Sequence, residues 1–271
     1  MSLPPVLCYH RVGGARELGV TRVSPQTFTR QMTALARAGW RTLSIDEMVR
    51  VGAQHAAPLR SPPAAPLFHL TFDDGYAELA EHVYPVLADL GFTATTFLIT
   101  DFVGRENRWD VQYTRRPLRH LDWAAVERWQ ARGFAFGSHT ATHARLTWVD
   151  DLRARDELSR SRDAMIARLG PTAGVAVAYP FGAVDARIAR LAREAGYGLG
   201  FGGVRGVPDD LMDLPRVPVY LWDTGDVPFG LRGDGLGALG RITAYVANRC
   251  AVGTTIMRAV WRSSVRRSGG P

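Results

Sequence analysis

The chain has 271 residues, which is enough for one large α/β domain with a sizeable core. Its composition, 46% apolar and 22% charged, is that of an ordinary globular protein, and no run approaches the ~20 consecutive apolar residues of a transmembrane helix. The formal net charge is +7 and every one of the 33 basic residues is an arginine, so the Schiff-base chemistry of aldolases, which needs lysine, is excluded.

Short apolar runs alternate with helical patterns as far as residue 222. The predicted strands span residues 5–9, 67–72, 93–99, 134–138 and 175–179, with weaker candidates at 199–203 and 217–221. The predicted helices span residues 24–40, 77–90, 122–133, 150–169 and 185–195. This alternation indicates a parallel sheet, either a barrel or a doubly wound sheet, with its chemistry at the carboxyl ends of the strands.

The alternation stops after residue 222. The segment 223–271 contains the glycine-rich stretch "GDVPFGLRGDGLGALG" and continues as one or two amphipathic helices with basic ends. Two interpretations are open: a C-terminal helix packed on the domain, or a surface that binds an acidic membrane face. We expect a folded unit over residues 1–222, a linker and basic segment over 223–271, and no nucleic-acid partner.

The start of the chain and its cysteines indicate the compartment. The sequence "MSLPPVLCYH" lacks the basic start and the apolar core of a secretory signal peptide, so a cytoplasmic location is expected. Cys8 and Cys250 are too few for a disulfide framework and lack the spacing of a metal clip. Both are expected to be free thiols in the core.

Residues that bind metals or move protons follow the predicted strands. His139 and His143 of "GSHTATH" are four residues apart, a spacing that suits two nitrogen ligands on one metal ion. A carboxylate from the adjacent pair Asp73–Asp74 would complete three protein ligands and leave a fourth position open. Either aspartate could be the ligand, and the other would lie beside a metal-activated water and accept its proton.

The motifs "TFDDGY" and "SHTATH" together strongly resemble the polysaccharide deacetylases of carbohydrate esterase family 4, also called the chitooligosaccharide deacetylase homology domain. The resemblance covers roughly residues 5–222 and extends to "SPQTFTRQMTALARAGWRTLS", "LDWAAVERWQARGFAFGSHTATHARL" and "AYPFGAVDARIARLAREAGY". It implies metal-dependent removal of N- or O-acetyl groups from sugars. We therefore expect an α/β fold, a distorted (β/α)7-type barrel over residues 1–222, with a C-terminal helical extension.

The resemblance implies roles for individual residues. Asp73 matches the catalytic base, while Asp74, His139 and His143 match the ligands of one divalent metal ion, for which zinc is the first choice. The "YPFG" motif resembles the one that lines the substrate groove, and the backbone N–H of Phe181 is a candidate for part of the oxyanion site. The predicted substrate-binding residues are Tyr76, Tyr179, Pro180 and Phe181.

Two departures from the family pattern matter. Ala178 stands where many members carry an arginine, two residues before the motif proline, and no histidine follows His143 to serve as the late general acid. The "YH" of "VLCYHRV" matches a permuted branch in which an N-terminal histidine is the acid, so His10 is predicted to take that role. Arg216 of "LPRVPV" is predicted to replace the missing arginine by orienting Asp73. The other histidines are interpreted as structural or exposed: His55, His69, His82 and His120.

The predicted activity is hydrolysis of an acetyl amide or ester on a sugar or polysaccharide by a metal-activated water. A deformylase or deacetylase of a lipid-linked sugar is one alternative, because the basic C-terminal segment could bind the membrane face. A non-catalytic carbohydrate-binding barrel is another, and the intact set of aspartates and histidines argues against it.

Overall fold

The computed structural model describes residues 4–14, 20–53, 65–109, 117–204 and 210–231. Within these ranges the strands are β1 (Val6–Tyr9), β2 (Arg11–Val12), β3 (Arg22–Val23), β4 (Arg41–Leu43), β5 (Leu67–Phe72), β6 (Thr95–Leu98), β7 (Ala135–Ser138), β8 (Ala176–Ala178), β9 (Leu199–Phe201) and β10 (Val217–Pro218). The helices in the same ranges are α1 (Pro25–Arg37), α2 (Ile45–Ala53), α3 (Leu79–His82), α4 (Tyr84–Asp89), α5 (Trp123–Gln130), α6 (Asp151–Leu169) and α7 (Ala186–Glu194).

A curled parallel sheet forms the centre of the fold. Its strands follow the order β10–β1–β5–β6–β7–β8–β9, and β4 pairs with the beginning of β5. The segment that contains β10 joins the two ends of the sheet: before the strand, the N–H of Leu214 donates to the carbonyl of Gly200 in β9, and after it, the N–H of Val219 donates to the carbonyl of Cys8 in β1. The strands thus form a ring of seven, which confirms the predicted distorted (β/α)7-type barrel.

Alternation along each strand separates an outer layer from the barrel interior. In β5, Phe72 points outward and packs against Tyr9 and Phe28, with ring centroids 5.6 and 5.9 Å apart. His69 of the same strand points inward and stacks on Phe201 of β9 at 5.7 Å. Asp73 continues the inward row, so its carboxylate emerges at the mouth of the barrel.

The interior is a packed core rather than a channel. Helix α2 contributes Ile45 and Met48 to an apolar cluster that includes Phe97 of β6, Leu199 of β9 and Leu214. Filling the interior from one end leaves the carboxyl ends of the strands as the place where polar side chains can gather.

Short polar caps fix the starts of four helices. In each, a side-chain oxygen accepts the backbone N–H three residues further along, which satisfies one of the free donors of the first turn. The capping residues are Ser24 of α1, Asp122 of α5, Asp150 of α6 and Asp185 of α7. The predicted starts of these helices therefore fall one residue before the observed ones.

The prediction of one helix over residues 77–90 is wrong. Two short helices, α3 and α4, occupy this stretch, and the helical conformation is interrupted at Val83, where φ is −112°. Pro85 explains the break, because it has no N–H to donate to the preceding turn and its ring crowds that turn.

Strand β4 and helix α2 were not predicted, although the sequence carries a start signal for the helix. Ser44 and Glu47 form a capping box, in which the N–H of Glu47 donates to Ser44 Oγ at 3.2 Å and the N–H of Ser44 donates to Glu47 Oε2 at 2.7 Å. The spacing Ser-x-x-Glu ahead of apolar residues was therefore the available clue.

Beyond residue 222 the described chain continues along the domain as far as Leu231, which packs in the cluster that contains Leu7. Gln31 of α1 donates to the carbonyl of Asp223 at 2.7 Å. Residues 232–271, with Cys250 and the predicted basic amphipathic helices, lie outside the described residues, as does His55. No helix in the described ranges is long and apolar enough to cross a bilayer.

Candidate active site

The predicted ligand set comes together at the mouth of the barrel. His139 and His143, which follow β7, each place Nε2 at 3.5 Å from Oδ1 of Asp74, which follows β5. All three side chains are buried, and their ligand atoms lie within 4.8 Å of one another. Two imidazoles and one carboxylate at this spacing are a donor set that zinc accepts.

The tautomer of His139 suits metal binding. Its Nδ1 lies 2.7 Å from the carbonyl oxygen of Ala178 in β8, so Nδ1 carries the proton and donates to that carbonyl. Nε2 then presents its lone pair toward Asp74 and His143. A backbone carbonyl that fixes the ring in this way is a common feature of metal-binding histidines.

Unusual backbone geometry is concentrated here. In the described part of the chain, the residues other than glycine with a positive φ are Asp74 (68°), Thr140 (64°), His143 (60°) and Phe181 (63°). Such conformations cost roughly 1–3 kcal/mol each and persist where surrounding contacts hold them. Two of the four are predicted metal ligands and a third lies between the two histidines.

His120, which sequence analysis interpreted as structural or exposed, forms a hydrogen bond with the backbone of Asp74, one of these positive-φ residues. His120 is buried, and its Nδ1 donates to the carbonyl of Asp74 at 2.7 Å, while its Nε2 accepts from Trp109 Nε1 at 3.2 Å. Burial lowers the pKa of His120 to about 4, and the hydrogen bond to the Asp74 backbone opposes that shift. The indole of Trp109 also packs on His143, with ring centroids 3.9 Å apart. No sequence spacing indicates these contacts.

Asp73 forms a buried pair with Arg216. Nη1 and Nη2 of Arg216 donate to the two carboxylate oxygens at 2.7 and 2.8 Å, and Nε donates to the carbonyl of Gly202 at 3.1 Å. Burial alone would raise the pKa of Asp73, but the charge of Arg216, with His139 and His10, outweighs it and holds the pKa well below its usual range. Asp73 is therefore an oriented carboxylate.

His10 stands on the other side of Asp73. Its Nε2 lies 4.0 Å from Asp73 Oδ2, and the side chain is 26% exposed, so it can meet a molecule at the mouth. Burial lowers the pKa of His10 to about 4, with Asp73 opposing the shift and Arg216 adding to it.

Cys8 lies directly below this pair. Its Sγ donates to Asp73 Oδ2 at 3.5 Å, and the residue is free and buried, as predicted. Burial raises the pKa of the Cys8 thiol, so the thiol stays protonated and acts as a donor to the carboxylate.

The predicted substrate-binding residues divide into two groups. Phe181 lies at the mouth, where its ring packs on His143 with centroids 4.7 Å apart. Tyr179 and Pro180 are buried, and Tyr179 packs in the cluster between β8 and the helices, so its side chain does not line a groove. Tyr76 is also buried, stacked on His120 at 5.1 Å, and its hydroxyl accepts from Asn107 Nδ2 at 3.1 Å.

An arginine that sequence analysis did not single out completes the rim. The guanidinium carbon of Arg145 lies 4.8 Å from the ring centroid of Trp148 and 5.6 Å from that of Phe181. Trp148 is 56% exposed. The rim beside the histidines therefore combines a cation with two aromatic faces.

Comparison with known proteins places this arrangement in a family. Residues 60–200 match the family model described as polysaccharide deacetylase, which is just over half of the chain. YxkH of Bacillus subtilis is 25% identical over 196 residues, which are 72% of this chain. The chain spans 63% of the length of that relative.

Solved structures share the fold. The deacetylase PplD of Streptococcus pyogenes, solved with acetate, aligns with a TM-score of 0.70 and 22% identity over 82% of this chain and 95% of that one. BC0361, a polysaccharide deacetylase from Bacillus cereus, aligns with a TM-score of 0.63 and 26% identity over 80% of this chain and 65% of that one. IcaB from Ammonifex degensii aligns with a TM-score of 0.66 and 22% identity over 92% of this chain and 98% of that one. Because the family model matches more than half of the chain, over residues that include the "TFDDGY" and "SHTATH" motifs, this chain belongs to the polysaccharide deacetylase family.

Proposed function

We propose that this protein is a metal-dependent hydrolase that removes N- or O-acetyl groups from a sugar or polysaccharide. The carrying observation is the convergence of Asp74, His139 and His143 next to the Asp73–Arg216 pair at one mouth of the barrel. A structural neighbour of the same fold, PplD, was solved with acetate, and BC0361 is described as a polysaccharide deacetylase. A decayed binding barrel would have no need of a buried, oriented carboxylate beside the ligand set.

The proposed metal fits the residues present. Asp74, His139 and His143 would hold a divalent ion, with zinc the first choice, and the ion would supply Lewis-acid polarisation of the acetyl carbonyl and a lowered pKa for water. Asp73 would accept the proton of the attacking water, since Arg216 keeps its carboxylate ionised and fixes its orientation.

Two further groups complete the proposed reaction. The backbone N–H of Phe181, directed by a positive φ, would donate to the oxygen that becomes negative as water adds to the carbonyl. His10, whose Nε2 lies 4.0 Å from Asp73 Oδ2, would then pass the proton accepted by Asp73 to the departing amine nitrogen or alcohol oxygen while the carbon–heteroatom bond breaks, which yields acetate and the free sugar. Its place beside Asp73 and its partial exposure support this role.

Acetate release from a panel of N- and O-acetylated oligosaccharides tests the proposal. We expect release by the purified protein, loss of release on treatment with a chelator, and recovery on adding zinc. Asp74→Ala should lose the bound metal, measured by elemental analysis, while the exposed control Asp89→Ala should retain it. Full release in the presence of the chelator, or a normal metal content in Asp74→Ala, would refute the proposal.

A further inference from the structure

Arg145 lies in the stretch that resembles the family, but neither the residue roles implied by that resemblance nor the proposed mechanism uses it. It follows His143 by two residues, and its guanidinium lies over the rings of Trp148 and Phe181. Phe181 in turn packs on His143. Arg145 therefore stands one side chain away from the proposed metal ligands, at the edge where a bound sugar would extend out of the site.

This arginine differs from its neighbours in having no acidic partner among the residues that the structure describes. Arg153 donates to Glu157 at 2.6 Å, and Arg187 donates to Asp151 at 2.8 Å. The guanidinium of Arg145, by contrast, forms no hydrogen bond or ion pair with the described residues, and its Nε is buried without an acceptor. Leaving a buried donor unsatisfied is unfavourable, so the arrangement is one that a bound acceptor would complete.

The chemistry of the acceptor follows from the shape of the donor. A guanidinium presents parallel N–H groups that match a carboxylate or a phosphate in a two-point contact. Stacking on Trp148 and Phe181 limits the orientations of Arg145, so less conformational freedom is lost when an anion binds. Trp148 is mostly exposed, so this side of the rim is open to a ligand.

We infer that Arg145 is a specificity-determining residue that binds a negatively charged group of the substrate, so that the enzyme prefers acetylated sugars bearing a carboxylate or phosphate next to the acetyl group. This inference rests on the proposed deacetylase function. It concerns the residue beyond the reacting acetyl group and leaves the metal ligands, Asp73 and His10 in their proposed roles.

Matched neutral and anionic probes test the inference on the metal-loaded protein. One pair is chitotetraose against a tetrasaccharide of alternating N-acetylglucosamine and glucuronic acid, and the other is N-acetylglucosamine against its 1-phosphate. We expect kcat/KM to be at least tenfold higher for the anionic member of a pair, and the two pairs separate carboxylate from phosphate recognition. Arg145→Gln should remove that preference with less than a twofold change on neutral probes, and Arg145→Lys should restore part of it.

Arg190→Gln is the control, because Arg190 is exposed on α7 and pairs with Glu194. If Arg145→Gln lowers kcat/KM equally for the neutral and the anionic member of each pair, Arg145 serves only to pack the rim and the inference is overturned. An unchanged preference, or no preference in the wild-type protein, would overturn it as well.

A binding measurement separates this inference from the proposed activity. Calorimetry in an Asp73→Asn background reports the Kd of each probe without turnover. If the wild-type protein releases no acetate from any probe, the deacetylase proposal fails. The inference about Arg145 then stands only if the anionic probe binds at least tenfold more tightly than its neutral partner and Arg145→Gln abolishes the difference.

Discussion

Replacing Arg216 by methionine tests the buried pair that orients the proposed base. Arg216 and Asp73 are both almost fully buried and share two hydrogen bonds of 2.7 and 2.8 Å. Methionine preserves much of the volume but removes both donors and the positive charge. Asp73 is then left as an uncompensated carboxylate inside the barrel mouth.

The magnitude follows from this burial. Breaking a buried ion pair by removing one partner costs about 3–5 kcal/mol of unfolding free energy. For a domain of this size, that corresponds to a fall in Tm of roughly 6–20 °C. The double variant Asp73→Asn with Arg216→Met should lose less unfolding free energy than Arg216→Met alone, because it no longer contains an unpaired buried carboxylate.

The loss should also depend on pH. In the wild-type protein the pKa of Asp73 is depressed, so its contribution to stability is present above the unfolded value of about 3.9 and is lost only as the pH falls through the lower folded pKa. In Arg216→Met, burial without the arginine should raise the pKa of Asp73 above that unfolded value. As the pH falls, Asp73 of the variant becomes protonated and the buried charge disappears. The difference in unfolding free energy between wild type and Arg216→Met should therefore become smaller between pH 7 and about pH 4.

Urea unfolding of chelator-treated protein at pH 7 and pH 4.5 measures these effects without a contribution from metal binding. Arg190→Met provides the matched control, since its arginine is exposed and should change stability little. A deficit below about 1 kcal/mol at pH 7 would contradict the account of a stranded buried charge. A deficit that does not change between the two pH values would contradict the pKa argument.

Three further predictions follow from the site and the fold. Asp73→Asn should lower kcat for acetate release by ~10²-fold or more while the metal content stays normal, because only the proton acceptor is lost; a metal-free variant would instead make Asp73 a ligand. His120→Phe should weaken zinc affinity about 10- to 100-fold in competition with a chelating dye, because the donor that holds the Asp74 backbone is removed; an unchanged affinity would show that the other contacts hold Asp74. Ser44→Ala should cost roughly 1 kcal/mol of unfolding free energy by removing the cap of α2. The other half of the cap needs a different variant, because the backbone N–H of Ser44, which chiefly lowers the pKa of Glu47, is retained in Ser44→Ala. Glu47→Ala should lower the free energy of unfolding above pH ~4.3, and this loss should disappear as the pH falls through the lowered pKa of Glu47; equal stability profiles of wild type and Glu47→Ala would contradict this.

Local patterns in the sequence were sufficient for most of the barrel. Each predicted strand of the ring overlaps an observed one, since buried parallel strands read as short apolar runs. Polar caps one residue before four helices fixed their starts. The prediction failed where a single residue or pair decides the local structure. Pro85 divides the predicted helix 77–90 into two, and the Ser44–Glu47 capping box starts helix α2, which was not predicted.

The sequence by itself determined which strand ends carry the candidate chemistry, because parallel strands bring their carboxyl ends to one mouth. On that basis one aspartate of the pair Asp73–Asp74 was predicted to share a site with His139 and His143, and the family resemblance selected Asp74. The structure places the ligand atoms of Asp74, His139 and His143 together. The role of each residue stays a prediction until it is measured.

Only the tertiary structure decided which side chains surround that set. His120 reaches the Asp74 backbone from 46 residues further along the chain, and the indole of Trp109 packs on His143. Tyr179 belongs to the "YPFG" motif but faces the helical layer, whereas Arg145 was assigned no role from the sequence but lies at the rim. Periodicity relates residues on one element, whereas these contacts depend on how loops from different strands close over the mouth, and no local pattern encodes that closure.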